Sequence, residues 1–317
     1  MITNPATRIL TAILAGLVLC QGLFLFLNKG IQQFNSFTNE KFHEMFLGNN
    51  NYELITAGSS RSLSNINPYI LDSCLGIKTF NVGIAGANIF EIEYSLLAYM
   101  HAHQNLPKII LINIDRGTLG NIVKLYNNQI YFPYLDNPYI YSALEKAGKP
   151  AFWYKLFPMS KMFEYDDYLR NVGVQGLLGK SEITKDNFYY KGALIMSSRK
   201  VLKPNPTDPK NQGGTVTSEA LKRLKNIVKK ANEKGSEIIF IFGPEFHHEE
   251  GITPHNPAYD GIEKFARKNN CQILRYDNMD SVFTKDCYAD TRHLNKRGAD
   301  LYSKYLAKDL KKMFESQ

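Results

Sequence analysis

Five short apolar runs constrain this chain more than any other feature: YELITAG at 52–58, IKTFNVG at 77–83, KIILINID at 108–115, SEIIFIFGP at 236–244 and CQILRYD at 271–277. Each is nearly continuous rather than alternating, the pattern of a strand covered on both faces. Helical segments separate them. NPYILDSCLG, 67–76, carries proline in its first turn and glycine at its end, and NIFEIEYSLLAYMHAH follows the second run. TSEALKRLKNIVKKANEKG, 217–235, sets Leu221, Leu224, Ile227, Val228 and Ala231 on one face. A further helix is predicted near 256–269, and a last one from Lys296 to Phe314 with Tyr302, Tyr305, Leu306 and Leu310 at helical spacing. Strands alternating with helices predict an α/β fold: a parallel five-stranded sheet with helices on both faces. In such sheets ligands bind beyond the carboxyl ends of the strands.

Two regions stand outside that alternation. Ile9–Leu27, ILTAILAGLVLCQGLFLFL, is uncharged and long enough to span a bilayer as a helix. It reads as an uncleaved anchor at residues 1–30 with the rest of the chain outside the cytoplasm, a cleaved signal peptide being the alternative. Residues 31–49 read as a stalk helix, and 50–317 as the folded domain. Within the domain, residues about 116–214 are rich in tyrosine and phenylalanine and end in KPNPTDPKNQGG. So long a break is a lid or subdomain, and its aromatics suit either a sugar or lipid headgroup or a small core of its own. The net charge of +8 comes from dispersed lysines and arginines, concentrated on two predicted helices where they form solvated faces, so nucleic acid is not an expected partner. The four cysteines form no CxxC pair, and the histidines of FHHEEGITPH, 246–255, lack an HExxH spacing, so no metal is expected.

Chemistry concentrates at the ends of the predicted strands. Gly58-Ser59-Ser60-Arg61-Ser62 follows the first strand at once. A serine on such a corner acts as a nucleophile when a base takes its proton and donors meet the oxyanion. The base is most often a histidine oriented by a carboxylate. His293 follows Asp290 by three residues in the loop before the last helix, and Asn295 is placed to cap that helix.

Three blocks carry a resemblance. Gly58-Ser59-Ser60, then Asn81-Val82-Gly83-Ile84-Ala85-Gly86, then Asp290-Thr291-Arg292-His293 occur in the order of the G-[DS]-S, N-x-G-x-x-G and D-x-x-H blocks of the SGNH (GDSL-like) hydrolases. The chain resembles that family over roughly residues 50–315, insertion aside. The resemblance implies a three-layer αβα sandwich of flavodoxin-like topology, with Ser60 as nucleophile, His293 as general base and Asp290 as its orienting carboxylate. The backbone N–H groups of Ser60 and Gly86 would be the oxyanion donors, with no cofactor. Ser59 in place of the usual aspartate resembles the membrane-anchored branch involved in teichoic-acid D-alanylation and polysaccharide O-acetylation. The family's G-x-N-D block is absent; Ile114-Asp115-Arg116-Gly117 stands there. Arg116 or Asn88 would then supply the third oxyanion donor, or the hole is weaker.

The expected activity is that of an envelope-facing serine esterase or O-acyltransferase acting on acyl (acetyl) esters of a glycan, with Arg61 and Arg116 as substrate-binding residues. The alternative is a catalytically weak or inactive protein of the same fold that binds glycan or an integral-membrane acyltransferase.

Overall fold

The computed structural model describes residues 4–34, 36–115, 117–180, 187–197, 216–247 and 257–315. Its centre is the parallel five-stranded sheet expected from the apolar runs. The strands are β1 (Leu54–Ala57), β2 (Thr79–Asn81), β3 (Ile109–Ile114), β6 (Glu237–Phe242) and β7 (Gln272–Arg275), in the order β2-β1-β3-β6-β7. The chain starts at β1 near one edge, steps outward to β2, and returns across β1 to β3. The reversal sets a crevice at the carboxyl ends of β1 and β3. Register is tight: Leu54–Ala57 pair with Ile109–Ile112, and all six residues of β3 pair with β6. Every residue of β1 and β3 is buried, as a central parallel strand requires.

Helices cover both faces. On one side α5 (Ile89–Ala102), α9 (Ser218–Glu233) and α10 (Pro257–Lys268) bury residues such as Leu97, Ile227 and Ile262 against Ile110, Ile112 and Phe240. On the other, α4 (Pro68–Leu75) and α11 (Lys296–Glu315) close over Leu54, Leu111, Ile239 and Ile241 with Leu71, Tyr302, Leu306 and Leu310. Between β1 and α4 lies one short helix, α3 (Ser60–Asn65), which the apolar pattern alone does not announce.

The insertion's buried aromatics extend the core on the α5 side of the sheet rather than forming a separate one. The insertion holds α6 (Pro138–Lys146), α7 (Ala151–Leu156), α8 (Asp167–Leu177) and a hairpin of β4 (Asn187–Tyr190) with β5 (Ala193–Met196). Tyr131, Phe132, Tyr134, Tyr154 and Tyr165 are buried. The expected stalk is a different object. Helix α1 (Pro5–Gln33) ends at a break, and α2 (Phe37–Leu47) is part of the domain, burying Lys41, Phe42, Met45 and Phe46. Scattered aromatics at 34–46 are thus core positions rather than the outer face of a free rod. The C-terminal end of α1 also packs, against α8. A Cβ on Gly30 would stand 1.7 Å from the Gly173 carbonyl oxygen, and one on Gly176 would stand 1.8 Å from that of Gly30. Only glycine lets the two backbones approach that closely.

Candidate active site

The serine corner is built by capping. Ser59 is the N-cap of α3: its hydroxyl accepts from the Arg61 N–H at 3.3 Å and donates to the Asp115 carboxylate just after β3. Ser60 therefore begins the helix, half-exposed, at the carboxyl end of β1. Asp115 also accepts the Gly117 N–H at 3.0 Å, so one buried carboxylate ties the two strand ends together.

His293 reaches the same point from the far end of the chain. Its Nε2 lies 2.9 Å from Ser60 Oγ, and its Nδ1 lies 3.0 Å from each oxygen of Asp290. A carboxylate acceptor at Nδ1 fixes the proton there and leaves Nε2 free to accept from the serine hydroxyl. Burial pushes the Asp290 carboxyl up. The hydrogen bond and charge of His293, with the N–H groups of Arg292 and His293, outweigh burial and hold it below its ordinary range.

Three asparagines hold these pieces in register. Asn81 donates to the carbonyls of Ser62 at 2.8 Å and Ile66 at 3.2 Å, and accepts the Gly83 N–H at 2.9 Å. It supports the first turn structurally, as its place in the second block suggests. Asn65 accepts the Leu294 N–H at 2.9 Å, which clamps α3 to the histidine loop. Asn67 donates to Asp300 at 2.6 Å, and its own N–H goes to Ser303 at 2.8 Å, which ties the start of α4 to α11. Neither Asn65 nor Asn67 stands out in the sequence, where both read as turn residues. Asn295 caps α11 by accepting the Gly298 N–H at 3.0 Å.

The N–H groups of Ser60 and Gly86 have no hydrogen-bond partner among the described residues. Gly86 has φ +73°, and a Cβ there would stand 2.4 Å from the Tyr126 ring, which lies over it from the insertion. Tyr126 is itself held by its N–H, bonded at 3.0 Å to the buried Glu91.

Asn88, an expected oxyanion donor, and Arg61, an expected substrate-binding residue, both bond within the protein. The Asn88 carbonyl caps α5 through the N–H groups of Phe90 and Glu91, and its amide donates to the Lys124 carbonyl at 2.8 Å. Its position just before a helix explains the change: an N-cap oxygen satisfies two free donors. Arg61, a substrate-binding expectation, turns its guanidinium to groups of the protein itself. It is buried against Glu245 at 3.1 Å and the Pro244 carbonyl, with Tyr259 donating to the same Glu245 oxygen at 2.5 Å. Burial alone would lower the Arg61 pKa, but Glu245, Tyr259 and Asp115 raise it. Arg116, and His248 to His255 of the FHHEEGITPH loop, lie outside the described residues. No metal-holding group of side chains occurs among the described residues. The four cysteines are unpaired.

No protein-family model matches the chain, and no curated protein sequence matches it. Solved structures resemble it weakly. A protein assigned to the G-D-S-L lipolytic family from Desulfitobacterium hafniense is 12% identical, covering 81% of this chain and 98% of its own, with a TM-score of 0.40. An acetylxylan esterase from Geobacillus stearothermophilus, solved as a catalytic mutant, is 11% identical over 83% and 95%, with a TM-score of 0.39. A GDSL-like lipase from Bacteroides thetaiotaomicron is 9% identical over 82% and 88%, with a TM-score of 0.35. These are likenesses of the chain, and the chemistry rests on its own side chains.

Proposed function

We propose that the protein is a serine esterase or O-acyltransferase in which Ser60, His293 and Asp290 act as a triad. The observation that carries this reading is the unbroken line of hydrogen bonds from Ser60 Oγ through both ring nitrogens of His293 to Asp290. Ser60 Oγ attacks the ester carbonyl carbon as His293 Nε2 takes its proton. The N–H groups of Ser60 and Gly86 meet the oxyanion. Collapse breaks the bond to the leaving alcohol, which receives the proton from Nε2, and leaves the acyl group on Ser60. His293 then deprotonates an incoming hydroxyl, which attacks the acyl-serine and restores the free enzyme. Water as the acceptor makes the protein an esterase, and a sugar hydroxyl makes it a transferase.

The remaining parts of the reading concern place and substrate. Helix α1 is the described helix long and apolar enough to cross a membrane, with mean hydropathy 2.4 over its best window. It would hold the domain at the membrane on the extracytoplasmic side, facing acylated envelope glycans and any integral-membrane acyltransferase that delivers the acyl group. The aromatic insertion, which brings Tyr126 over Gly86, would shape the acceptor side of the site.

The test is turnover of p-nitrophenyl acetate by the full chain in detergent beside Ser60→Ala. The wild type is expected to hydrolyse the ester and the variant to fall to the solution rate. Equal rates would remove Ser60 from the chemistry and leave the alternative, a binding protein of this fold.

A further inference from the structure

Helix α1 is bare along its first part and covered along its last. Residues 4–20 are all exposed, and burial begins at Phe24 and recurs at Leu27, Gly30, Ile31 and Phe34. That spacing is one stripe of a helix, and it faces α8, where Gly173 and Gly176 meet Gly30 backbone to backbone. The turn at Pro158–Glu164 reaches the same stripe, with Lys161 Nζ 5.9 Å from the Phe24 ring. The bare stretch Pro5–Leu23, rising about 1.5 Å per residue, is about 28 Å long, against roughly 30 Å for a bilayer's hydrocarbon core. The domain therefore closes around the helix at the level where the hydrocarbon would end.

The surface beside that point is apolar. On α7 and the turn after it, Phe152, Trp153, Leu156 and Phe157 are each about half-exposed, and Phe163 is 92% exposed. Trp153 lies against both Phe152 and Phe157, with ring centroids 5.4 and 5.8 Å away, so the side chains form one patch. A groove of about 540 Å³ lined by Pro138, Tyr141, Phe152 and Leu156 continues it. Lys155, paired with Asp136 at 2.8 Å, lies on α7 beside them, and Lys161 lies in the turn between Phe157 and Phe163. Aromatics flanked by lysines are what a headgroup region accepts, and so large an exposed patch needs a cover.

We propose that this face of the insertion, from Phe152 to Phe163, beds into the interface of the bilayer that α1 spans, giving the domain a second membrane contact. The proposal rests on reading α1 as an anchor. With α1 already packed on α8, the bed adds a second contact that fixes the tilt of the domain over the membrane.

Trp153 is the single tryptophan of the chain, so its emission reports on this face alone. The full chain is reconstituted into phosphatidylethanolamine–phosphatidylglycerol vesicles whose acyl chains are brominated close to the headgroup, and flotation is scored in parallel. The expected result is co-flotation, a blue-shifted Trp153 emission, its loss to brominated chains and its protection from aqueous iodide. Phe163→Asp with Leu156→Asp is expected to float equally, to regain iodide access and to keep the wild-type rate on p-nitrophenyl acetate. Co-flotation with Trp153 open to iodide and untouched by bromine would overturn the bed while leaving the anchor standing. Failure to float would overturn both. Protection from iodide without bromine quenching, lost on dilution, would mean that a second copy covers the face, and would equally overturn the proposal.

Discussion

Asp290 has two tasks at once: it accepts the His293 Nδ1 proton and two backbone N–H groups of its own loop. Asp290→Asn keeps an oxygen for the backbone but offers no charge to an imidazolium. It is expected to fold like the wild type and to lose roughly 10³–10⁴ in turnover, read as kcat on an activated ester. Glu91 makes the opposite kind of prediction. Burial lifts its carboxyl from 4.5 to about 7, although the Tyr126 N–H and the Tyr131 hydroxyl pull it back. Because the folded value lies above the unfolded one, this group's contribution to stability is full below about pH 4.5 and is lost as pH rises to about 7. Glu91→Gln is expected to flatten that slope, by up to about 3 kcal/mol across the window, in denaturant unfolding at a series of pH values. An unchanged slope would remove Glu91 as its source. Ser60, Asp290 and His293 were legible in the sequence because short blocks mark the corner after β1 and the loop before α11. Glu91 and Tyr126 were not, since nothing local marks a carboxylate that a distant loop will cover.

At the scale of elements, the buried parallel strands were legible because both their faces are dry, which writes a continuous apolar run. Helix α2 was not legible as core, because Lys41 at its centre reads as a solvated residue. Lys41 is in fact buried without a carboxylate, and it donates to the carbonyls of Gly83 and, at 2.8 Å, of Gly192. Burial lowers its pKa well below the ordinary lysine value. It joins α2, the glycine loop that ends at Gly86, and the turn of the β4–β5 hairpin. Lys41→Ala is expected to cost about 3 kcal/mol, through two unsatisfied carbonyls and a cavity, as a lower denaturant midpoint. A midpoint equal to wild type would show that the three elements hold without it.

For the whole molecule, the order of the sheet explains why residues more than two hundred positions apart meet. Ser60 leaves β1 in the interior of the sheet, and the loop after β7 returns across the sheet's end to carry His293 over it. That return is anchored by buried Phe283, Tyr288 and Leu294 and clamped to α3 by Asn65, a polar contact that hydropathy alone does not reveal. The insertion was visible as a break in the alternation, while its division into buried aromatics and an outer apolar face depends on pairings across the chain. The central claim is that this arrangement makes Ser60 a nucleophile, and its most direct measurement is covalent capture. The full chain in detergent is treated with a fluorophosphonate, digested, and mapped by mass spectrometry, beside His293→Ala. The account predicts one adduct, on Ser60, whose rate of formation falls at least about 10²-fold in the variant. An unlabelled Ser60 in the folded wild-type chain, or equal labelling in both proteins, would contradict it.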